Sequence, residues 1–297
     1  MYFLTDLERK LLLNKILPQA REVGVSPQLR GWNWHQPPLK PYYDDVKLPM
    51  YAVANRYCPT GRDIYLRFVE KEREKLNEKI GLGKIVHGAV SDALLSFIEG
   101  KQITFQEWTE KIRWGEIPAE RNRALKVAEK IWSHVWSLCK ARLEEAKASQ
   151  PYASQHDLIL STVPFLIEHK ISGELLGLSG LLSIDCYDYL SSIMYDLKYI
   201  TDEYMDWFRL APVGYALVFE SVHEIPIDVC GVVTVKLLNG KIFVKKDLFF
   251  AGDELRSWWI EERDRKLEIV AEGRDPGTPK DNTCPEDCIY YHICYGG

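Results

Sequence analysis

LSIDCYDYLSSIMYDLKYI, residues 182 to 200, contains two β-branched and aromatic runs, 182–189 and 192–200, with only Leu190 and Ser191 between them. Runs this close pair as an antiparallel hairpin. With the turn centred between Leu190 and Ser191, Asp185 faces Asp196 across the ladder, and the two-residue period puts Lys198 on the face of Asp196. Opposed carboxylates, ~4.5–5.5 Å apart at Cβ, repel each other, and a divalent cation turns that repulsion into attraction. Magnesium or manganese takes oxygen ligands, polarises a phosphate and acidifies a bound water, which a nearby ammonium can orient. The same spacing fits a solvated polar face carrying an ordinary Asp–Lys pair. Ile193, Met194, Tyr195, Leu197 and Tyr199 tip the balance, because they make 192–200 nearly continuously apolar, as in a buried strand whose charges need partners.

Outward from the hairpin, FLIEHKIS (165–172) reads as a preceding strand on which Glu168 either supplies a further acid or forms an edge ion pair with Lys170. Residues 202–222 return to helical spacing, with Pro212 at a kink or a new start. Residues 231–250 read as two strands split by Asn239-Gly240, a strong hairpin signal, and 253–273 as a helix. Before Pro151 the spacing predicts helices over about Asp6 to Ile16, over the charged 66–79 ended by Gly81 and Gly83, over 83–100 with His87 near its start, and over 118–149. The loop 32–45, rich in proline and aromatics, either packs on the body or offers Trp32, Trp34, Tyr42 and Tyr43 as stacking faces. Arg62, Arg67, Lys245 and Lys246 are candidate phosphate contacts.

The 297 residues, 46% hydrophobic, can bury a large core. No run reaches the roughly 18 apolar residues of a membrane span, and Met1 to Lys10 carries acids where a signal peptide is basic and then apolar. These features predict a cytoplasmic protein with no membrane partner. A net charge of -5 gives no overall attraction for nucleic acid, so DNA binding would need a local groove. Seven cysteines, an odd number without a regular framework, favour metal or cluster ligation over disulfides. CPEDCIYYHIC (284–294) fits zinc on Cys284, Cys288, His292 and Cys294, or an iron-sulfur cluster on the three cysteines plus a distant thiolate. Cys58, in NRYCPTGRD, is the candidate for the fourth. Cys139, Cys186 and Cys230 read as small core residues.

His87 in GKIVHGAV, Asp185, Asp196-Leu197-Lys198 and a helical Tyr215 in APVGYALVFE together resemble the RecB-type nuclease set of the restriction-endonuclease-like fold. The resemblance implies that His87, Asp185, Asp196 and the Leu197 carbonyl hold manganese or magnesium, with Lys198 and Tyr215 assisting. Ala211 stands where the family often has glutamine, and Leu182 where it usually has glycine. The distant cysteine plus a terminal trio is similar to the CRISPR-associated Cas-four exonucleases, closest to the archaeal Csa-one subfamily. That implies a 4Fe-4S cluster on Cys58, Cys284, Cys288 and Cys294, and an α/β fold in three parts: a mainly helical region at 1–150, the nuclease sheet and helices at 151–273, and a cysteine segment at 274–297 packing on the first. It also implies a metal-dependent exonuclease acting on single-stranded DNA ends for CRISPR spacer acquisition, with the array-integrating proteins as partners. The rival expectation is a catalytically weak iron-sulfur scaffold subunit.

Overall fold

A computed structural model of the chain describes residues 1–101, 103–200, 204–279, 284 and 288–296. In chain order the helices are α1 (Asp6–Leu11), α2 (Leu17–Val23), α3 (Met50–Ala54), α4 (Arg62–Phe68), α5 (Glu78–Ile98), α6 (Phe105–Glu110), α7 (Arg121–Ser149), α8 (Gln155–Thr162), α9 (Leu210–His223), α10 (Asp253–Glu272) and α11 (Tyr291–Cys294). The strands are β1 (Phe165–Ile171), β2 (Leu182–Asp188), β3 (Ile193–Tyr199), β4 (Val229–Leu238) and β5 (Lys241–Phe250). They form one mixed sheet in sequence order, antiparallel except where β4 lies parallel to β3. A parallel neighbour needs a crossover, and α9 supplies it.

Two apolar clusters sandwich the sheet. On one face Val86, Val90, Ile131 and Val135 of α5 and α7 pack with Phe165, Tyr195 and Val233, and on the other Leu217 of α9 and Trp259 of α10 pack with Met194 and Val232. Segments 1–150 and 151–273 therefore contribute to the same core. Helix α5 is long and apolar enough to cross a membrane by length and composition, but more than half of that stretch is buried inside this core. Behind it, Glu220 and Arg256, both fully buried, exchange two hydrogen bonds of 2.7 and 2.9 Å and tie α9 to α10. Leu29, Ala251 and Ile227 carbonyls accept the remaining Arg256 donors, and the Gly31 amide reaches Glu220. A buried ion pair so fully satisfied is costly to break from one side.

Three expectations are corrected. Residues 69–77 are not helical: the chain leaves α4, Lys71 adopts a left-handed φ of 57°, and the Lys75 amide donates to the Ile289 carbonyl at 3.2 Å, so the C-terminal tail sets this path. Gly81 and Gly83 do not end a helix but lie within α5, capped by the Asn77 side chain; a Cβ on Gly81 would come within 2.8 Å of the Pro118 backbone. The first helix does not stop at Ile16. A π-turn over Leu12–Ile16 precedes Pro18, which lacks the amide for an α-helical bond, and the helix resumes to Val23. Pro212 marks a new start, three residues into α9; residues 202 and 203 lie outside the described part of the chain.

Candidate metal and cysteine sites

The hairpin register is the expected one, with Cys186 opposite Tyr195, Tyr187 opposite Met194 and Asp188 opposite Ile193. Asp185 and Asp196 are next in line, but the β2–β3 ladder has ended. The same residue interrupts β1–β2, where pairing passes from Ile167↔Cys186 to His169↔Ile184 and skips Glu168 and Asp185. Glu168 has a φ of 49°, a conformation that side chains with a Cβ adopt at a cost of about 1–2 kcal/mol. Both strands turn over at this point: Ile167 and Cys186 face α5 and α7, whereas Ile171 and Ile184 face α9 and α10. The sheet forks at Asp185.

Three side chains meet in the fork. His87 from α5, Glu168 and Asp185 present ligand atoms that all lie within 4.8 Å of one another, and the His87 Nδ1 to Asp185 Oδ2 distance of 3.7 Å is too long for a hydrogen bond. Asp185 Oδ2 accepts the Leu197 amide at 2.7 Å. Burial pushes the Asp185 carboxyl up to about 6, with His87 opposing and Asp196 reinforcing the shift. Asp196, 4% exposed, accepts the Lys198 ammonium at 3.1 Å on Oδ1, while its buried Oδ2, 2.8 Å from the same nitrogen, makes no hydrogen bond. Burial alone would lower the Lys198 pKa, but Asp196 outweighs it and the net shift is upward. Tyr215 of α9 is within electrostatic reach of the same carboxylates: burial, then Asp185, Asp196 and Glu168, hold its phenol well above its ordinary value.

Glu168, expected either as a further acid or as the edge partner of Lys170, is both: it pairs with that ammonium at 3.8 Å, accepts the Ser183 hydroxyl at 2.5 Å and lies beside His87 and Asp185. One residue of this neighbourhood, Tyr2, was not placed by the sequence. Tyr2 lies buried between the rings of Phe165 and Tyr195, 5.9 and 5.5 Å away, where Asp185, Glu168 and Asp196 reinforce the rise in its pKa that burial causes. The apolar opening MYFL was its one signal.

The cysteine segment returns to the N-terminal half. Burial raises the thiols of Cys288 and Cys294; Cys58 and Cys284 add to both shifts, so the four sulfurs lie within electrostatic reach of one another. Arg62 at the start of α4 donates to Cys294 Sγ at 3.4 Å and grips Asp275 at 2.9 Å, and Thr60 bridges Cys58 to the Gly277 carbonyl. His292 is exposed. Cys139, Cys186 and Cys230 are buried free thiols, with Cys139 pushed up to about 12.

The candidate phosphate contacts fare differently. Arg62 serves the cysteine segment, Arg67 pairs with Glu74 and covers the Tyr51 ring, and Lys246, its side chain 6% exposed, pairs with Glu8 at 3.0 Å; Lys245 is exposed. The 32–45 loop begins against the body, since Gly31 is fixed to Glu220 and Arg30 covers the Trp32 ring, although Tyr42 remains 76% exposed.

A family model described as CRISPR-associated exonuclease Csa1 matches residues 1–297. The chain belongs to this family. Two curated members are similar over nearly their whole length. The CRISPR-associated exonuclease Csa1 of Saccharolobus solfataricus is 28% identical over 293 residues, covering 96% of this chain and 97% of the relative. The protein of the same description from Thermoproteus tenax is 28% identical over 296 residues, covering 98% and 99%. The family match therefore spans both the fork and the cysteine segment.

Proposed function

We propose that the protein is a metal-dependent DNA exonuclease with a RecB-type core, acting on single-stranded ends and preparing DNA fragments for insertion by the CRISPR array-integrating proteins. The observation that carries this reading is the fork, where His87, Glu168 and Asp185 converge beside the Asp196–Lys198 pair. The donor set fits a hard divalent cation: carboxylate oxygens of Glu168 and Asp185 and one imidazole within 4.8 Å of one another, with the buried Asp196 carboxylate beside them. His87, Asp185, Asp196 and the Leu197 carbonyl would hold manganese or magnesium, with Glu168 at hand. Such an ion, when bound, polarises the scissile phosphate and acidifies water.

The chain's own groups supply the rest. Lys198, kept charged by Asp196, orients the attacking water and offsets negative charge developing on the phosphate. Tyr215, whose phenol stays protonated, is a hydrogen-bond donor directed at the same face. The family description supports the exonuclease and CRISPR parts of the reading.

Cys58, Cys284, Cys288 and Cys294 would hold a 4Fe-4S cluster. The four thiols are free, grouped and partly buried, with Arg62 beside them to balance thiolate charge. Bound there, the cluster clamps the tail to the loop after α3. The test is digestion of an end-labelled single-stranded oligonucleotide with manganese by anaerobically purified protein, against chelator and against Asp196→Ala. Stepwise shortening that both controls abolish is expected; intact oligonucleotide in every arm overturns the proposal.

A further inference from the structure

Beside the fork stands a partly exposed aromatic pair at the edge of the core, with Trp207 packed against it. Tyr57 is 58% exposed, and its ring meets Trp207 edge-on, with centroids 5.1 Å apart at 79°. Trp207 is in turn seated on buried Phe208 at 4.6 Å. An exposed tyrosine is ordinarily free to swing, but both chain neighbours of Tyr57 are tied down. Arg56 bonds Glu262 at 3.0 Å and covers Trp258, and Cys58 contacts Thr60. Trp207 belongs to the 3-10 turn Asp206–Arg209, which Arg209 pins to Asp247 at 2.7 Å, with Tyr204 bonded to the same carboxylate at 2.7 Å.

The two rings thus come from the loop that carries Cys58 and from the turn that leads into the Tyr215 helix. Asp247, which anchors the Trp207 turn, lies opposite Val232 of β4, and Val232 lies opposite Asp196 of β3, so the turn is fixed two strands from the fork. Phosphate chemistry on one side and a rigid, half-solvated aromatic step on the other match the two halves of a nucleotide. We propose that Tyr57, backed by Trp207, is a stacking subsite for the unpaired base next to the scissile phosphate. This rests on the nuclease reading and deepens it. Every base has a π-face, so such a step tolerates any sequence. It also discriminates against duplex, because a base still paired and stacked on both sides cannot reach it.

The test uses full-length, cluster-loaded protein and a single-stranded oligonucleotide carrying 2-aminopurine at its terminal or penultimate nucleotide, in chelator so that cleavage does not compete. Stacking quenches the fluorophore. The unaltered protein is expected to quench it at one of the two positions. Tyr57→Ala should abolish the quenching and weaken binding by roughly 5- to 150-fold, the range that base-on-aromatic stacking contributes, while Tyr57→Phe retains both. No quenching by the unaltered protein, or equal quenching and affinity in Tyr57→Ala, overturns the proposal. So does a Tyr57→Phe variant as impaired as Tyr57→Ala, which would assign the effect to the hydroxyl. Failure of the nuclease reading shows separately, as an uncleaved oligonucleotide when manganese replaces the chelator.

Discussion

Leu197 donates its amide to Asp185 Oδ2 at 2.7 Å, across the point where β2 and β3 stop pairing. A departing strand leaves its neighbour's backbone groups without partners, and a buried amide without an acceptor costs about 1–3 kcal/mol. The Asp185 side chain takes the place of the lost ladder bond. One carboxylate thereby closes the edge of the fork and faces the proposed cation.

These two duties separate by substitution. Asp185→Asn keeps an acceptor for the Leu197 amide and removes a charge that burial already disfavours, as the carboxyl's rise to about 6 shows. Its melting temperature is expected to equal or exceed that of the unaltered protein, while manganese-dependent cleavage falls about 100-fold or more. Asp185→Ala should lose both activity and about 1–3 kcal/mol of stability. Thermal melting beside oligonucleotide digestion checks this, and equal destabilisation by the two variants would count against it.

Glu168 offers the opposite dissociation. Its φ of 49° suits glycine better than glutamate. Glu168→Gly relieves that strain and removes a carboxylate from the fork, so melting should hold steady or rise as manganese affinity drops. Glu168→Ala keeps the strain and is expected to melt lower than Glu168→Gly by about 1 kcal/mol. Calorimetric titration with manganese and a melting curve for each variant decide the matter; identical manganese affinity in all three proteins would remove Glu168 from the site.

What the sequence showed and concealed follows from these residues. The register of 182–200 was legible because a tight turn fixes it, and Asn239-Gly240 was legible because both take a left-handed φ, 49° and 73°, in a two-residue hairpin turn. Glu168 was legible as a further acid, but the turnover that brings it to His87 was concealed, because period-2 reasoning assumes an unbroken strand, whereas β1 and β2 turn over together there. Residues 69–77 were concealed for a different reason. Their charges suit a helix, and one contact that holds the non-helical path is with the tail's Ile289 carbonyl, more than two hundred residues along. Local pattern carries no trace of such a partner.

That tail contact makes metal content a structural measurement. Anaerobically purified protein should be brown, with about four iron atoms per chain, the stoichiometry of a 4Fe-4S cluster on four thiolates. Cys58→Ala should lose the colour and most of the iron. In the simple chain-entropy model a link across a loop of this length contributes on the order of 4–5 kcal/mol, so the melting temperature should fall sharply. Cys230→Ala, at a buried thiol away from the segment, should keep its iron. Colourless protein carrying zinc would replace the cluster with a zinc site.

The loop that presents Tyr57 and Cys58 is held from behind by Lys266 of α10. Lys266 is 1% exposed, and its ammonium donates to the Val53 and Asn55 carbonyls at 2.6 and 2.5 Å. Burial lowers its pKa to about 8, against which Glu262, 3.3 Å away, pulls upward. The folded value lies below the unfolded one. Between about pH 8 and the ordinary lysine value near 10.4, the unfolded chain therefore binds the extra proton, and this group's contribution to stability rises with pH. Below pH 8 both states are charged and the net cost of the buried ammonium, about 3 kcal/mol after the favourable pull of Glu262, is present. The neutral amine can still donate to both carbonyls at the end of α3, although the pull of Glu262 goes with the charge. Urea unfolding of the unaltered protein and of Lys266→Met at pH 7 and pH 9.5 should show the gap between them shifting in favour of the lysine at the higher pH. A gap that stays constant, or shifts the other way, would mean that Lys266 keeps its ordinary pKa and that its two carbonyl bonds carry no desolvation cost.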